Sequence, residues 1–335
     1  MHVRPLLRLP TTLQMNSSAL YSSQSADTGR MRAIIVIGPP RCGTTAFFRW
    51  LATHPEIAPS ERKELNYFTG LSVTHDQFDL GQQAPYLAHI PPKAGARFSL
   101  EASPVYSHPQ VMPIVSPRIE LTLPDAKIIV MLRDPVDRFF SHYRVDQREG
   151  TAGAKTLSDY VRLSRGFDNR PAGREPLAEN VWLQIADYPA ILTQLLAQFP
   201  PRRIVPVFMD WFTTAPNYCA DYLTEALGLY IPLEPGAIRA ENTYYAPRNL
   251  SFHKLASAVR YLIEPTLQRF PGLRRKLYSA YRSVNISHSA GALGPVLEAE
   301  DIVELREFYC PRNEALRVLL GEYFKLEHIP DWLVE

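Results

Sequence analysis

AIIVIGPPRCGTTAFFRWLATHP, residues Ala33 to Pro55, decides the fold. Ala33 to Ile37 is a continuous apolar, β-branched run, the pattern of a strand buried on both faces of a parallel sheet. Thr44 to Thr53 follows as a helix, with Phe47, Phe48 and Leu51 as its apolar stripe and His54-Pro55 as its stop. Between strand and helix, Gly38 and Gly43 have four residues between them, the glycine spacing of a phosphate-binding loop. Thr44 stands where nucleotide hydrolases carry the loop lysine, and a basic residue, Arg41, lies inside the loop instead. Backbone N–H groups of such a loop, with the helix N-terminus behind them, make an anion cradle. Without the lysine, a triphosphate is poorly served, whereas a ligand with one 5′ anionic group does not miss it.

Working outward, Arg97 to Leu100 predicts a second strand, Lys127 to Leu132 a third and Arg203 to Phe208 a fourth, with Pro206 marking an edge or a bulge. Helices are expected over Val136 to Arg148, over Pro189 to Phe199 with Asp187 as cap, and over Ala215 to Leu227 closed by Gly228. Residues 150–176 read as a loop with a short helix. The last third turns helical, at about 250–263, 266–283 and 299–320. Strands alternating with helices mean a parallel α/β sheet covered on both faces. No linker divides residues 31–335, so one domain is expected there.

The chain has 335 residues, 46% hydrophobic and 21% charged, an ordinary globular composition. Its net charge of +2, from 36 basic and 34 acidic residues, gives no reason to expect nucleic acid as partner. No run approaches 18 apolar residues, so no transmembrane helix is expected. Cys42, Cys219 and Cys310 are too few and too scattered for a disulfide framework or a zinc site, which favours a reducing, cytoplasmic compartment. Residues 1–30 hold arginines and many Ser/Thr, with no acid before Asp27. They read as a disordered tail, an extended start before Met31, or an organelle-targeting segment.

The loop Gly38-Pro39-Pro40-Arg41-Cys42-Gly43-Thr44-Thr45 resembles the G-x-x-[KR]-[SG]-G-T-[TS] loop of the sulfotransferases that use 3′-phosphoadenosine 5′-phosphosulfate (PAPS). The likeness is to the heparan sulfate type and related bacterial enzymes, whose loop binds the 5′-phosphosulfate. It implies a three-layer, P-loop-like fold with a central parallel sheet flanked by helices and a helical C-terminal third. It also implies that Pro40, Arg41, Cys42, Gly43, Thr44 and Thr45 hold the donor, with Arg41 where the family more often has Lys. Lys63-Glu64-Leu65-Asn66-Tyr67-Phe68 resembles the family segment whose glutamate is the base. The chemistry suits it, because an acceptor hydroxyl must lose a proton as it attacks sulfur. Lys63 is a candidate for the sulfuryl oxygens, and Glu61 lacks the aromatic pair at the right offset. Arg133-Asp134-Pro135 through Arg138 to Ser141 and Tyr143 resembles the R-[DE]-P-x-x-R-x-x-S-x-Y segment, which implies Arg133 and Ser141 on the donor's 3′-phosphate. In that segment Arg138 reads as a helix-surface ion pair.

Glu101-Ala102-Ser103-Pro104-Val105-Tyr106 resembles E-K-S-P-x-Y with the Lys replaced by Ala102. Leu305 to Asn313 resembles the closing L-x-x-[FY]-[FY]-x-P-x-N segment and is expected in the core. Asn242 to Arg248 resembles a loop that covers the donor in bacterial members, which makes Arg248 a further candidate. The resemblance needs no metal. Two rival readings are a P-loop kinase or ATPase, with Asp134 on Mg²⁺, and a non-catalytic glycan-binding relative. The acceptor is expected to be a carbohydrate or a small hydroxylated molecule, met by loops within 70–96, 144–180 and 284–297, where His75 and His89 lie; His108 lies on another such loop. The near-neutral charge favours a neutral sugar, glycolipid or small metabolite over a polyanionic chain.

Overall fold

The computed structural model describes residues 31–70, 81–149, 156–168, 182–232, 271–287 and 298–334, with isolated positions between 238 and 267. Residues 31–335 form one compact unit. Five strands make a single parallel sheet in the order β2-β3-β1-β4-β5: β1 (Arg32–Gly38), β2 (Ile57–Pro59), β3 (Phe98–Ala102), β4 (Lys127–Leu132) and β5 (Ile204–Phe208). β1 lies between β3 and β4, with Ile34 opposite both Leu100 and Lys127. Every residue of β1 after Arg32 is buried, as its unbroken apolar run requires.

The chain leaves β1 through α1 (Thr44–Ala52) toward β2 and leaves β3 through α3 (Met112–Thr122) in the opposite direction, to β4. Right-handed crossovers then place α1 and α3 on opposite faces. The carboxyl ends of β3, β1 and β4 form the crevice where the strand order reverses, the place where open α/β sheets bind ligands. α2 (Gln83–Leu87) is a short piece between β2 and β3. α4 (Pro135–Glu149), α5 (Leu157–Asp168) and α6 (Tyr188–Gln198) connect β4 to β5, and α6 packs on α3. α7 (Trp211–Thr214) and α8 (Pro216–Leu227) follow β5. α8 ends at Gly228 with φ 63°, and Asp187 caps α6 by accepting from Ala190 N at 3.2 Å, both as the residue types predict.

The three-residue strand β2 was not expected, and the predicted second strand is β3, two residues longer at its C-terminal end. β2 follows Pro55, ends on Pro59 and is too short to show a period. Pro206 sits in β5, an edge strand, opposite Val130, so its missing N–H leaves no inner ladder unfilled. The C-terminal region holds α9 (Pro271–Asn285), α10 (Ala299–Tyr323) and α11 (Asp331–Val334). It also holds an antiparallel pair, Ala246–Pro247 with Ile286–Ser287, that the helical reading missed. The helix expected at 250–263 and the predicted loops within 150–155 and 169–176 lie outside the described residues, apart from isolated helical positions. Of the segment Leu305 to Asn313 expected in the core, Leu305 and Tyr309 of α10 are buried, whereas Arg306, Glu307, Cys310 and Pro311 are exposed; Tyr309 OH donates to Leu183 O at 3.1 Å. Among the described residues no helix is long and apolar enough to cross a membrane.

Candidate active site

The loop between β1 and α1 is set by what surrounds it. Gly38 has φ 111°, and a Cβ there would stand 2.5 Å from Pro104 O, so the turn after β3 presses directly on the loop. Arg41 (φ 72°) and Gly43 (φ 79°) are both left-handed. For Arg41 that conformation costs about 1 kcal/mol or more and needs support from its neighbours. The support is visible: Arg133 Nη1 donates to Arg41 O at 3.0 Å, and Arg41 Nε donates to Ser141 Oγ at 3.0 Å. Cys42 is fully buried, its Sγ 3.6 Å from Tyr188 OH, and Tyr188 OH donates to Arg133 O at 2.7 Å. The phenol's single proton is used on Arg133, so the thiol is the donor to Tyr188. Gly43 begins α1 with no side-chain cap, which leaves first-turn N–H groups available to an anion. Thr44 is buried, and Pro40 and Thr45 are half-buried.

Arg41, Arg133 and Ser141 therefore meet, from β1, β4 and α4. Burial, then the guanidinium charges of Arg148, Arg133 and Arg138, pull Arg41 below its ordinary range. Arg41 makes no ion pair among the described residues, so a cationic group is held here against its own solvation and its neighbours' repulsion. That arrangement suits a ligand carrying several negative charges. Arg133 also faces Asp137 at 3.5 Å. Arg248 lies outside the described residues.

Two expectations in this segment change. Arg138 is not a surface ion-pair residue: it is completely buried, bonded to Trp182 O and to His142 Nδ1, and among the described residues its Nε has no acceptor. It lies at the rim of the helix face that carries Val136, Phe139 and Tyr143 into the core, and its Nη2 donates to the Trp182 carbonyl. The available signal was the Arg138-His142-Asp146 ladder at four-residue spacing, one side of one helix. Asp134, the Mg²⁺ candidate of the kinase reading, instead caps α4: its Oδ1 accepts from Val136 N at 2.7 Å and Asp137 N at 3.1 Å. Among the described residues no three His, Cys, Asp or Glu side chains cluster as a metal site.

Glu64 stands at the end of β3, next to the loop's own strand, where its N–H donates to Ala102 O at 3.0 Å. Ala102, which replaces a lysine of the family pattern, thus contributes its carbonyl. The Glu64 carboxylate is half-exposed and ion-paired with Lys63 Nζ. Both Glu64 (φ 66°) and Asn66 (φ 53°) are left-handed, which turns this segment sharply. Beneath it lies Glu101, which the sequence reading passed over. Glu101 is fully buried; Ser103 Oγ and Tyr106 OH donate to its Oε1 at 2.7 and 2.6 Å. The same hydroxyls accept from Asn66 N and Phe68 N, each at 3.0 Å. Burial pushes the Glu101 carboxyl up to about 7, against the hydrogen bonds from Tyr106, Ser103 and the Tyr67 N–H. Only the glutamate of E-A-S-P-V-Y pointed to it in the sequence, because an acid inside a strand that is otherwise apolar needs a buried donor set.

The remaining candidates fall elsewhere. Glu61 is occupied by His89 Nδ1 at 3.0 Å. His108 Nδ1 accepts from Gln110 N at 3.3 Å, and burial holds its imidazole below the usual range. His75 lies outside the described residues. A cavity of about 340 Å³ opens between α3 and α6, lined by Ser107, Met112, Gln184, Asp187, Ile191 and Gln194 among others. Ser107 also faces Gly38 of the loop, so the cavity adjoins the loop from the α3 side.

The chain belongs to the sulfotransferase family: the Sulfotransferase domain matches residues 31–233, more than half of the chain. Bifunctional heparan sulfate N-deacetylase/N-sulfotransferase 2 of Bos taurus is 26% identical over 212 residues, covering 62% of this chain and 23% of that protein. The bifunctional heparan sulfate N-deacetylase/N-sulfotransferase of Drosophila melanogaster is 24% identical over 323 residues, covering 93% and 28%. The chain spans only about a quarter of the length of these curated relatives. Among solved structures, a sulfotransferase from Alicyclobacillus acidocaldarius is 22% identical with a TM-score of 0.49, over 76% of this chain and 99% of that one.

Proposed function

We propose that the chain transfers a sulfuryl group from PAPS to a hydroxyl of a carbohydrate or small-molecule acceptor. The observation that carries this reading is the meeting of Arg41, Arg133 and Ser141: the loop and the α4 segment, 100 residues apart at Arg41 and Ser141, share one hydrogen bond. In this reading the loop N–H groups and Arg41 hold the 5′-phosphosulfate, and Arg133 and Ser141 hold the 3′-phosphate. PAPS supplies an activated sulfuryl group. The chain's own residues orient it, and Glu64 takes the proton of the attacking hydroxyl. The new bond joins acceptor oxygen to sulfur, the bond from sulfur to the 5′-phosphate oxygen breaks, and Arg41 offsets charge on that leaving oxygen. Lys63, paired with Glu64, is positioned to exchange that partner for a sulfuryl oxygen. The names of the heparan sulfate relatives support a carbohydrate acceptor, and the cavity beside Ser107 offers polar side chains for one.

Thermal unfolding with adenosine 3′,5′-bisphosphate and, separately, with Mg·ATP tests the donor. A ligand at a hundredfold its Kd adds about 2.7 kcal/mol. The bisphosphate should raise Tm and Mg·ATP should not; the reverse would support the kinase reading. Labelled PAPS offered to neutral sugars, glycolipids, sulfated polysaccharides and small phenols then identifies the acceptor class, and transfer to none of them would support the glycan-binding reading.

A further inference from the structure

α9 carries an exposed apolar stripe beside the side that anchors it. Leu273, Leu277, Ala280 and Val284 recur at i, i+4, i+7 and i+11, one face of a helix, and all four are exposed, Val284 to 64%. Contacts on the adjacent side fix the helix's rotation. Asn285 Nδ2 donates to Asn249 O at 3.1 Å, Asn249 N donates to Asn285 Oδ1 at 2.9 Å, and Tyr281 stacks on Phe252 with centroids 6.1 Å apart. Asn285 is buried by these contacts while the stripe beside it stays exposed.

The same arm holds a second set of exposed helical positions, Phe252, Leu255, Val259 and Ile263, again at one-face spacing. Seven of the fifteen large apolar side chains exposed among the described residues lie between 252 and 284. The charge of this arm is as uneven as its polarity. Residues 249–285 contain seven Lys and Arg against one acid, Glu264, a balance of +6 in a chain of net +2, so the rest of the chain sums to −4. The α9 sequence PGLRRKLYSAYRSVN has four of those bases and no acid, and Lys276, flanking the stripe, is exposed.

We propose that α9 is a docking surface for an anionic phospholipid bilayer and lies in the interface plane. An apolar stripe flanked by basic residues, on a helix of low overall hydrophobicity, is the pattern of a helix that lies on a membrane and does not span it. A second copy of this chain would bring the four bases of α9, with no acid, against the same four, and like charges oppose that pairing. A sulfated polysaccharide would use the bases and leave the stripe in water. The inference does not depend on the donor site or on the sulfotransferase reading.

Co-sedimentation of the full chain with phosphatidylcholine vesicles, with and without phosphatidylserine, tests it. Binding is expected to the serine-containing vesicles, about tenfold or more above the neutral ones and weakening as salt is raised. The double substitution Leu277→Glu and Val284→Glu, at exposed positions, should abolish it and leave Tm and the bisphosphate-induced shift unchanged. Absence of binding to serine-containing vesicles, or binding that survives the double substitution, overturns the proposal. So does light scattering that shows a dimer of the parent chain which the double substitution dissociates, because the occupant of the stripe would then be a second copy.

Discussion

Glu64 and Glu101 sit at the end of the same strand in opposite environments, and that contrast separates their roles. Glu64 is half-exposed beside Lys63, open to an incoming hydroxyl. Replacing it with Gln should lower kcat by about 10²- to 10⁴-fold and leave binding of adenosine 3′,5′-bisphosphate unchanged, read by turnover and calorimetry together. Unchanged turnover would remove Glu64 from the base role. Glu101 touches no solvent and holds the segment that presents Glu64 through Ser103 and Tyr106. Its carboxyl is raised from 4.5 to about 7, so the folded state keeps a proton that the unfolded chain has lost over that range. The stabilisation is full below pH 4.5 and is lost as pH rises to about 7, a change of roughly 3 kcal/mol. Urea melts of Glu101→Gln at pH 5 and pH 8 should lack this fall; an unaltered pH dependence would show that another group is responsible. Arg41→Lys keeps the charge but loses the Nε bond to Ser141, and should weaken bisphosphate binding by about tenfold.

At the scale of elements, the loop is shaped by neighbours distant in sequence. Gly38 lies under Pro104, and a methyl group there meets a carbonyl at 2.5 Å in a conformation that L residues avoid. Gly38→Ala should cost about 2 kcal/mol or more in chemical denaturation, a larger loss than an Ala substitution at the exposed Thr156. Most of the sheet was legible because β1 and β4 hold unbroken apolar runs rich in β-branched residues and the caps Asp187 and Gly228 are of the expected types. β2 was hidden because three residues ending on a proline carry no period. The loop and the α4 segment were recognisable from spacing, yet nothing in spacing shows that Arg41 reaches Ser141 or that Arg133 supports the loop's carbonyl. Burial of Arg138 was unreadable for a related reason: Trp182, whose carbonyl it bonds, is 44 residues away.

For the whole molecule, three thiols sit in three different parts of the structure: Cys42 in the loop, Cys219 in α8 and Cys310 in α10. Cys310 is exposed, whereas Cys42 and Cys219 are fully buried and burial pushes both thiols up, Cys219 to about 12. An alkylating reagent should therefore label Cys310 at once and reach the other two only through opening of the structure. For Cys42 to react, Tyr188 must release it, which loosens the same phenol that holds the Arg133 carbonyl. Its labelling rate is thus a clock for the donor loop, Cys219 is a clock for the scaffold, and the ratio of the two measures how far the loop opens independently of the fold. Adenosine 3′,5′-bisphosphate should slow the first clock far more than the second.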